Sequence, residues 1–213
     1  MNTEQKAMLK DALILFVITL VAGLLLGIVY NVTKEPIANQ KAKAKIEASK
    51  NVFPAAENFE EITWFDETKG LEAQEYLSTV GISGVDINEI SESLDASGNV
   101  IGYVITVTDH EGYGGDIQFS MGIAMDGTLN GISLLSISET AGLGMKAGDI
   151  LVPQFADKKV ESFTYTKSGA TNDSEIDAIS GATITTKAIV NGVNAGLEYF
   201  RYTFADADGK EAP

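Results

Sequence analysis

The chain has 213 residues, no cysteine and one histidine, and its 15 basic and 30 acidic side chains give a formal net charge of −15. Disulfides, thiolate-held zinc and iron–sulfur clusters are thereby excluded, and a Ser-His-Asp triad or a His-rich metal site has little to work with. The acidic balance opposes nucleic acid, so no nucleic-acid partner is expected, and any electron chemistry has to come from a bound organic cofactor.

Residues 1–11 form a short polar segment carrying Lys6 and Lys10, after which Ala12 to Tyr30 runs 19 residues without a charge. At about 1.5 Å per residue a helix of that run is roughly 28 Å long, close to the hydrocarbon thickness of a lipid bilayer. Residues 12–30 therefore read as a transmembrane helix. They exceed the apolar part of a signal peptide, and the small residues of Ala42-Lys43-Ala44 lie too far downstream to mark a cleavage site. Residues 31–50 read as a helical stalk, with Pro36 in a first turn and Ala38, Ala42, Ala44, Ile46 and Ala48 interspersed with lysine. Lys34, Lys41, Lys43, Lys45 and Lys50 outnumber the two lysines before the span, a bias that on its own favours a cytoplasmic C-terminal domain. Residues 1–50 hold seven lysines and four carboxylates, leaving eight basic and 26 acidic side chains, a net of −18, for residues 51–213.

Residues 51–204 form the globular domain. Asn51 to Val85 offers only short helices and loops. Val100 to Thr108 is β-branched and aromatic, and Ile117 to Ile123 alternates with period two, so both are strands. Asp95 to Gly102 and Asp126 to Gly131 echo each other: each sets Asp and Gly in a turn and leads into an apolar strand, the second being Ile132 to Ile137. The result is a twisted antiparallel sheet, and with helices at either end the fold class is α+β. His110, in the connection Asp109 to Gly115, reads as an exposed loop histidine. Phe155 to Thr166 alternates around Phe163 and Tyr165 and is expected to form a last hairpin. Residues 205–213 are expected to be a mobile acidic tail.

Near the C-terminus, Asp177-Ala178-Ile179-Ser180-Gly181-Ala182-Thr183 opens an amphipathic helix to Phe200, in which Ile184, Ala188, Val193, Leu197 and Phe200 recur at roughly helical spacing. Unpaired N–H groups at such a helix start suit an anion, although Ser180 or Thr183 acting merely as a cap is the ordinary alternative. The run Asp-x-x-Ser-Gly-Ala-Thr resembles the flavinylation motif of the FMN-binding subunits of Rnf and sodium-pumping NADH:quinone oxidoreductase complexes. A second Ser-Gly-Ala-Thr, Ser168 to Thr171, has Tyr165 where the motif has an acid and a polar loop after it, and reads as a decoy. Glu139-Thr140-Ala141-Gly142-Leu143-Gly144 is similar to the family's Glu-Thr-Pro-Gly-Leu-Gly, with Ala141 in place of proline. Gly142-x-Gly144-x-x-Ala147 also matches a dinucleotide fingerprint but is not followed by a long helix, and Gly112-x-Gly114-Gly115 runs into a strand; no direct NAD binding is expected.

The resemblance covers most of the chain, and its length is that of the shorter, Rnf-type G subunit. It implies an electron-transfer subunit with FMN joined through its phosphate to Thr183 by a flavin transferase. Asp177, Ser180, Gly181, Ala182 and Thr185 would complete the attachment turn, and Glu139, Thr140, Gly142, Leu143 and Gly144 would lie against the flavin. It further implies a single-pass anchor in the cytoplasmic membrane, the FMN domain on the extracytoplasmic side against the lysine count, and partner membrane subunits of an Rnf-type complex. The C subunit of the sodium-pumping quinone reductase and a cofactor-free membrane-anchored scaffold protein are the competing readings. A serine hydrolase built on Ser180 lacks a convincing histidine base.

Overall fold

The computed structural model describes residues 3–205; Met1, Asn2 and the charged stretch Asp206 to Pro213, where the acidic tail was expected, lie outside the described residues. Two compact units emerge, Met1–Ala44 and Lys45–Pro213. The first belongs to helix α1 (Thr3–Val52), whose apolar side chains from Leu13 to Val32 are nearly all exposed. A buried core helix would hide such side chains, and by length and composition α1 is able to cross a membrane. Thr19 Oγ1 donates back to the Leu15 and Phe16 carbonyls, which satisfies the hydroxyl inside its own helix. Pro36 is interior to α1 rather than in a first turn, and its ring withholds one backbone donor without ending the helix.

In the second unit, β1 (Asn58–Glu61), β2 (Val85–Leu94), β3 (Val100–Asp109), β4 (Ile117–Ala124) and β5 (Leu129–Ser136) form one antiparallel sheet in chain order. The two Asp-Gly turns join its strands as read from the sequence. Asp95 Oδ1 accepts the Ser97 and Asn99 N–H groups, and Asp126 Oδ1 accepts that of Thr128. This Thr128 bond, with help from the Lys159 ammonium, holds the Asp126 carboxyl down to about 2. Between Asn51 and Val85, expected to be short helices and loops, lie strand β1 and the 13-residue helix α2 (Glu67–Thr79), capped by Asp66. β1 is short and three of its four residues are exposed, so it has no apolar alternation to read.

Helix α4 (Thr183–Phe200) lies across the sheet, with Gly192 seated on Phe119 and Gly196 on Met121. A Cβ at either glycine would collide with the side chain beneath it, so the pair lets backbone approach strand. Across the sheet, Val52 packs on Gly122 and Phe53 on Gly102. Strand β4 is consequently buried on both faces, and its alternation in sequence understates that burial.

The expected last hairpin is not formed. Pro153 lies in a 3₁₀ turn (Val152–Phe155), and β6 (Thr164–Thr166) pairs in parallel with β7 (Glu175–Asp177). Of the two aromatics around which the alternation ran, Phe163 is buried and meets Phe155 edge to face, 5.0 Å apart in the core, whereas Tyr165 lies exposed in β6. The Lys167 to Ser174 loop connects these two short strands.

Candidate flavin site

The site is built where three loops meet the start of α4. Ala182 is the N-cap and Thr183 the first helical residue, and no side chain caps the helix. The ordinary alternative, a Ser180 or Thr183 cap, is therefore not what these hydroxyls do. The first N–H bonded back within the helix is that of Thr186, to the Ala182 carbonyl. Thr186 Oγ1, fully buried, also accepts the Ile179 N–H and donates to the Ala182 carbonyl, locking the 179–182 turn onto the helix. Gly181 within that turn has φ +78°.

Facing it, the 139–144 turn follows β5. The Leu143 and Met145 N–H groups both donate to the Thr140 carbonyl, and Gly142 sits at φ +78° with open space where a Cβ would be. Gly144 is buried and has no such space: a Cβ there would stand 2.6 Å from Thr185 Oγ1 and 2.7 Å from Glu139 Cβ. A short α-helix, α3 (Ala147–Ile150), follows, so the Gly142 to Ala147 run opens no dinucleotide-binding helix.

Between these segments lies a cavity of about 430 Å³, lined by Tyr113, Glu139, Thr140, Leu143, Gly144, Gly181, Ala182, Thr183, Ile184 and Thr185. Eight of the sequence-expected residues thus meet in one place. Asp177, Ser180 and Gly142 do not line it. Asp177 ends β7, where its Oδ1 accepts the Ala170 N–H at 2.6 Å and its own N–H donates to Gln154 Oε1. The motif's acid therefore holds the decoy Ser168 to Thr171 loop, and Thr171 Oγ1 is engaged with Glu175. Ser180 is exposed in the turn. Tyr113 and Ile184 are additions; Ile184 was read only as the first residue of the helix's apolar face and is half exposed at the cavity.

The lining fits a flavin phosphate and ring. Thr185 Oγ1 is buried and has no hydrogen-bond partner among the described residues, at a helix start whose first N–H groups have no partner within the helix. Such a hydroxyl wants an acceptor, and a phosphate supplies one. Leu143, Ile184 and Tyr113 give the cavity an apolar rim suited to an aromatic ring system.

Below the rim the loop after β3 is clamped to α4. Asp109, fully buried, accepts from Asn191 Nδ2 at 2.9 Å and from the Glu111 N–H at 2.8 Å, while burial pushes its carboxyl above the usual range. One turn nearer the cavity, Lys187 Nζ meets Glu111 Oε2 at 3.0 Å. His110 is an exposed loop residue, as expected, and bridges Asp116 and Asp86, each at 2.9 Å.

Two family models match the chain: the RnfG N-terminal region over residues 1–52 and an FMN-binding domain over residues 112–198. The G subunit of the sodium-translocating ferredoxin:NAD⁺ oxidoreductase complex of Acetobacterium woodii is 33% identical over 205 residues, covering 93% of this chain and 94% of that one. The G subunit of the ion-translocating oxidoreductase complex of Methanosarcina acetivorans is 32% identical over 202 residues, 92% and 96% of the two chains. A crystal structure of NqrC from Shewanella oneidensis aligns at 20% identity over 59% of this chain and 62% of that one, with a TM-score of 0.48. The two G subunits are matched nearly end to end, and the FMN-binding model covers the cavity just described: the chain belongs to the G-subunit family of ion-translocating Rnf oxidoreductase complexes.

Proposed function

We propose that this chain is the membrane-anchored electron-transfer subunit of an Rnf-type ion-translocating oxidoreductase, and that it carries FMN as a phosphoester on Thr183. The supporting observation is the meeting of the 139–144 turn and the 181–185 helix start around one cavity, with the orphaned Thr185 hydroxyl inside it. When bound, FMN supplies reversible one- and two-electron chemistry in its ground state, which the side chains of this cysteine-free chain do not.

The residues divide the task. Thr183 Oγ1 is the attachment atom: it would gain a bond to the flavin phosphorus and lose its proton as the phosphoanhydride bond of a flavin dinucleotide donor breaks and the donor's nucleoside monophosphate leaves. Thr185 donates to the phosphate, and the helix start sets partial positive charge against it. Leu143 and Ile184 exclude water from the ring. Glu139 is the one carboxylate among the lining residues, so the site holds a carrier rather than the acid, base and nucleophile of a substrate pocket. Attachment prevents loss of the carrier by diffusion. Ion movement belongs to partner subunits, because the span's Thr19 hydroxyl is spent within its own helix. The FMN domain lies on the extracytoplasmic side of the membrane.

The test is the intact mass of the chain expressed with and without a flavin transferase, followed by peptide mapping. One FMN phosphoester on Thr183 is expected. No covalent flavin in the presence of an active transferase overturns the attachment, and a colourless protein under both conditions overturns the flavin reading in favour of a scaffold.

A further inference from the structure

The segment Gly112-Tyr113-Gly114-Gly115 failed as a dinucleotide fingerprint and has no part in the attachment chemistry. Its packing is nevertheless tight. A Cβ on Gly114 would overlap the Ser138 carbonyl, and one on Gly112 would overlap the Gly115 carbonyl and stand 3.0 Å from Glu139 Oε1. The Gly114 N–H donates to Glu139 Oε1 at 3.3 Å, and the Glu139 Cβ and Oε2 are, after Thr185 Oγ1, what a Cβ on Gly144 would strike. One carboxylate side chain thus joins the glycine loop to the 139–144 turn. From below, His110 ties the loop's start to Asp116 and Asp86, and Lys187 pairs with Glu111. Two constraints therefore converge on Tyr113, whose side chain lines the cavity while remaining 68% exposed. An aromatic residue held open on a fixed loop, across a cavity from an attachment turn, has the chemistry to lie against a planar ring.

Resting on the flavin reading above, we propose that the Gly112–Gly115 loop is the third wall of the flavin site, with Tyr113 the residue in contact with the isoalloxazine and Glu139 a positioning residue that acts through it. The glycines let the loop backbone approach Ser138 and Glu139, and the phenol ring is what it presents. A tyrosine in contact with a flavin gives an electron to the excited ring and quenches its fluorescence; phenylalanine, harder to oxidise, keeps the stacking without the quenching.

The experiment uses the full chain, purified with its attached flavin, and reads fluorescence yield, absorbance maxima and intact mass. Tyr113→Phe should retain the flavin mass and absorbance and show a several-fold rise in fluorescence. Tyr113→Leu should show the same rise together with shifted absorbance maxima. Glu139→Ala should brighten the flavin as Tyr113→Leu does, Glu139→Gln, which still offers Oε1 to the Gly114 N–H, should restore quenching, and Glu139→Ala combined with Tyr113→Leu should be no brighter than Tyr113→Leu alone. Loss of the flavin from Tyr113→Leu with its retention in Tyr113→Phe also supports ring contact. Tyr113 variants that keep the flavin mass with unchanged fluorescence and absorbance overturn the proposal and leave attachment at Thr183 intact. Additive brightening in the double variant overturns the positioning role of Glu139. Wild-type protein without the flavin mass overturns the flavin reading itself.

Discussion

Gly144 and Thr185 are so closely apposed that a single methyl on the glycine would stand 2.6 Å from the threonine Oγ1. That contact joins the 139–144 turn to the start of α4, two segments some forty residues apart, and it lies on the wall of the cavity. Gly144→Ala should therefore push the two segments apart and shift the absorbance of the bound flavin. Gly142→Ala should not, because its Cβ would enter open space; its effect is the left-handed backbone, about 1–2 kcal/mol of stability. Spectra and denaturant midpoints of the two variants separate clearance from conformation.

His110 gives the loop below Tyr113 a pH dependence. Its hydrogen bonds to Asp116 and Asp86 raise its pKa above the ordinary 6.5. A base whose folded pKa is raised contributes stability that is fully present below the unfolded value and is lost as pH rises through the folded one. The unfolding midpoint should accordingly fall as pH climbs upward from about 6.5, and His110→Gln should flatten that slope. As the only imidazole in the chain, His110 gives one titrating ring signal by NMR, and an unshifted titration would remove the bridge from the account.

Asn191 is the other clamp on that loop. It donates to the buried Asp109 and to the Ser83 carbonyl. Asn191→Ala should leave Asp109 short of a donor in a buried site and destabilise the domain by about 1–3 kcal/mol. Lys187→Ala, which breaks only an exposed pair with Glu111, should leave the denaturant midpoint almost unchanged. Equal losses in the two variants would contradict the difference in burial.

Membrane sidedness pits two arguments against each other, the lysines after the span and the family likeness. With the FMN domain outside the cytoplasmic membrane, protease added to sealed right-side-out cells should digest residues 51–213 and spare the anchor. Full protection of the domain would return the decision to the lysine count.

What was legible in the sequence was what local chemistry writes locally. Asp95 and Asp126, each followed by Gly and a β-branched run, declared their turns, and the charge-free run to Tyr30 declared a span. The turn before α4 and the Glu139 to Gly144 turn were picked out through resemblance, and the two meet at one cavity. Relations across the fold were not. Nothing near Glu139 announces that its carboxylate reaches Gly114, and Gly192 and Gly196 look like weak helix residues until Phe119 and Met121 are seen beneath them. Tyr113 had a local sign, an aromatic residue flanked by glycines, but its meaning depends on where the loop closes.

The proposed attachment residue can be separated from its structural neighbours. Thr183 is the first residue of α4, half buried, and its hydroxyl caps nothing, so Thr183→Ala should change stability by no more than about 0.5 kcal/mol. Thr186, three residues on, accepts the Ile179 N–H and donates to the Ala182 carbonyl while fully buried; Thr186→Val keeps the shape, strands that N–H, and should lose about 1–3 kcal/mol. Thr171→Ala removes a hydroxyl already bound to Glu175 on the exposed loop that Asp177 holds. The expected pattern is therefore a stable protein without attached flavin for Thr183→Ala, a less stable protein that still carries it for Thr186→Val, and full loading for Thr171→Ala. Thr183→Ser retains the nucleophilic oxygen and should load more slowly, since the lost methyl no longer fixes the rotamer. Flavin mass mapped to Thr171, or retained by Thr183→Ala, would falsify the assignment, because in each case an oxygen other than Thr183 Oγ1 would have taken the phosphorus.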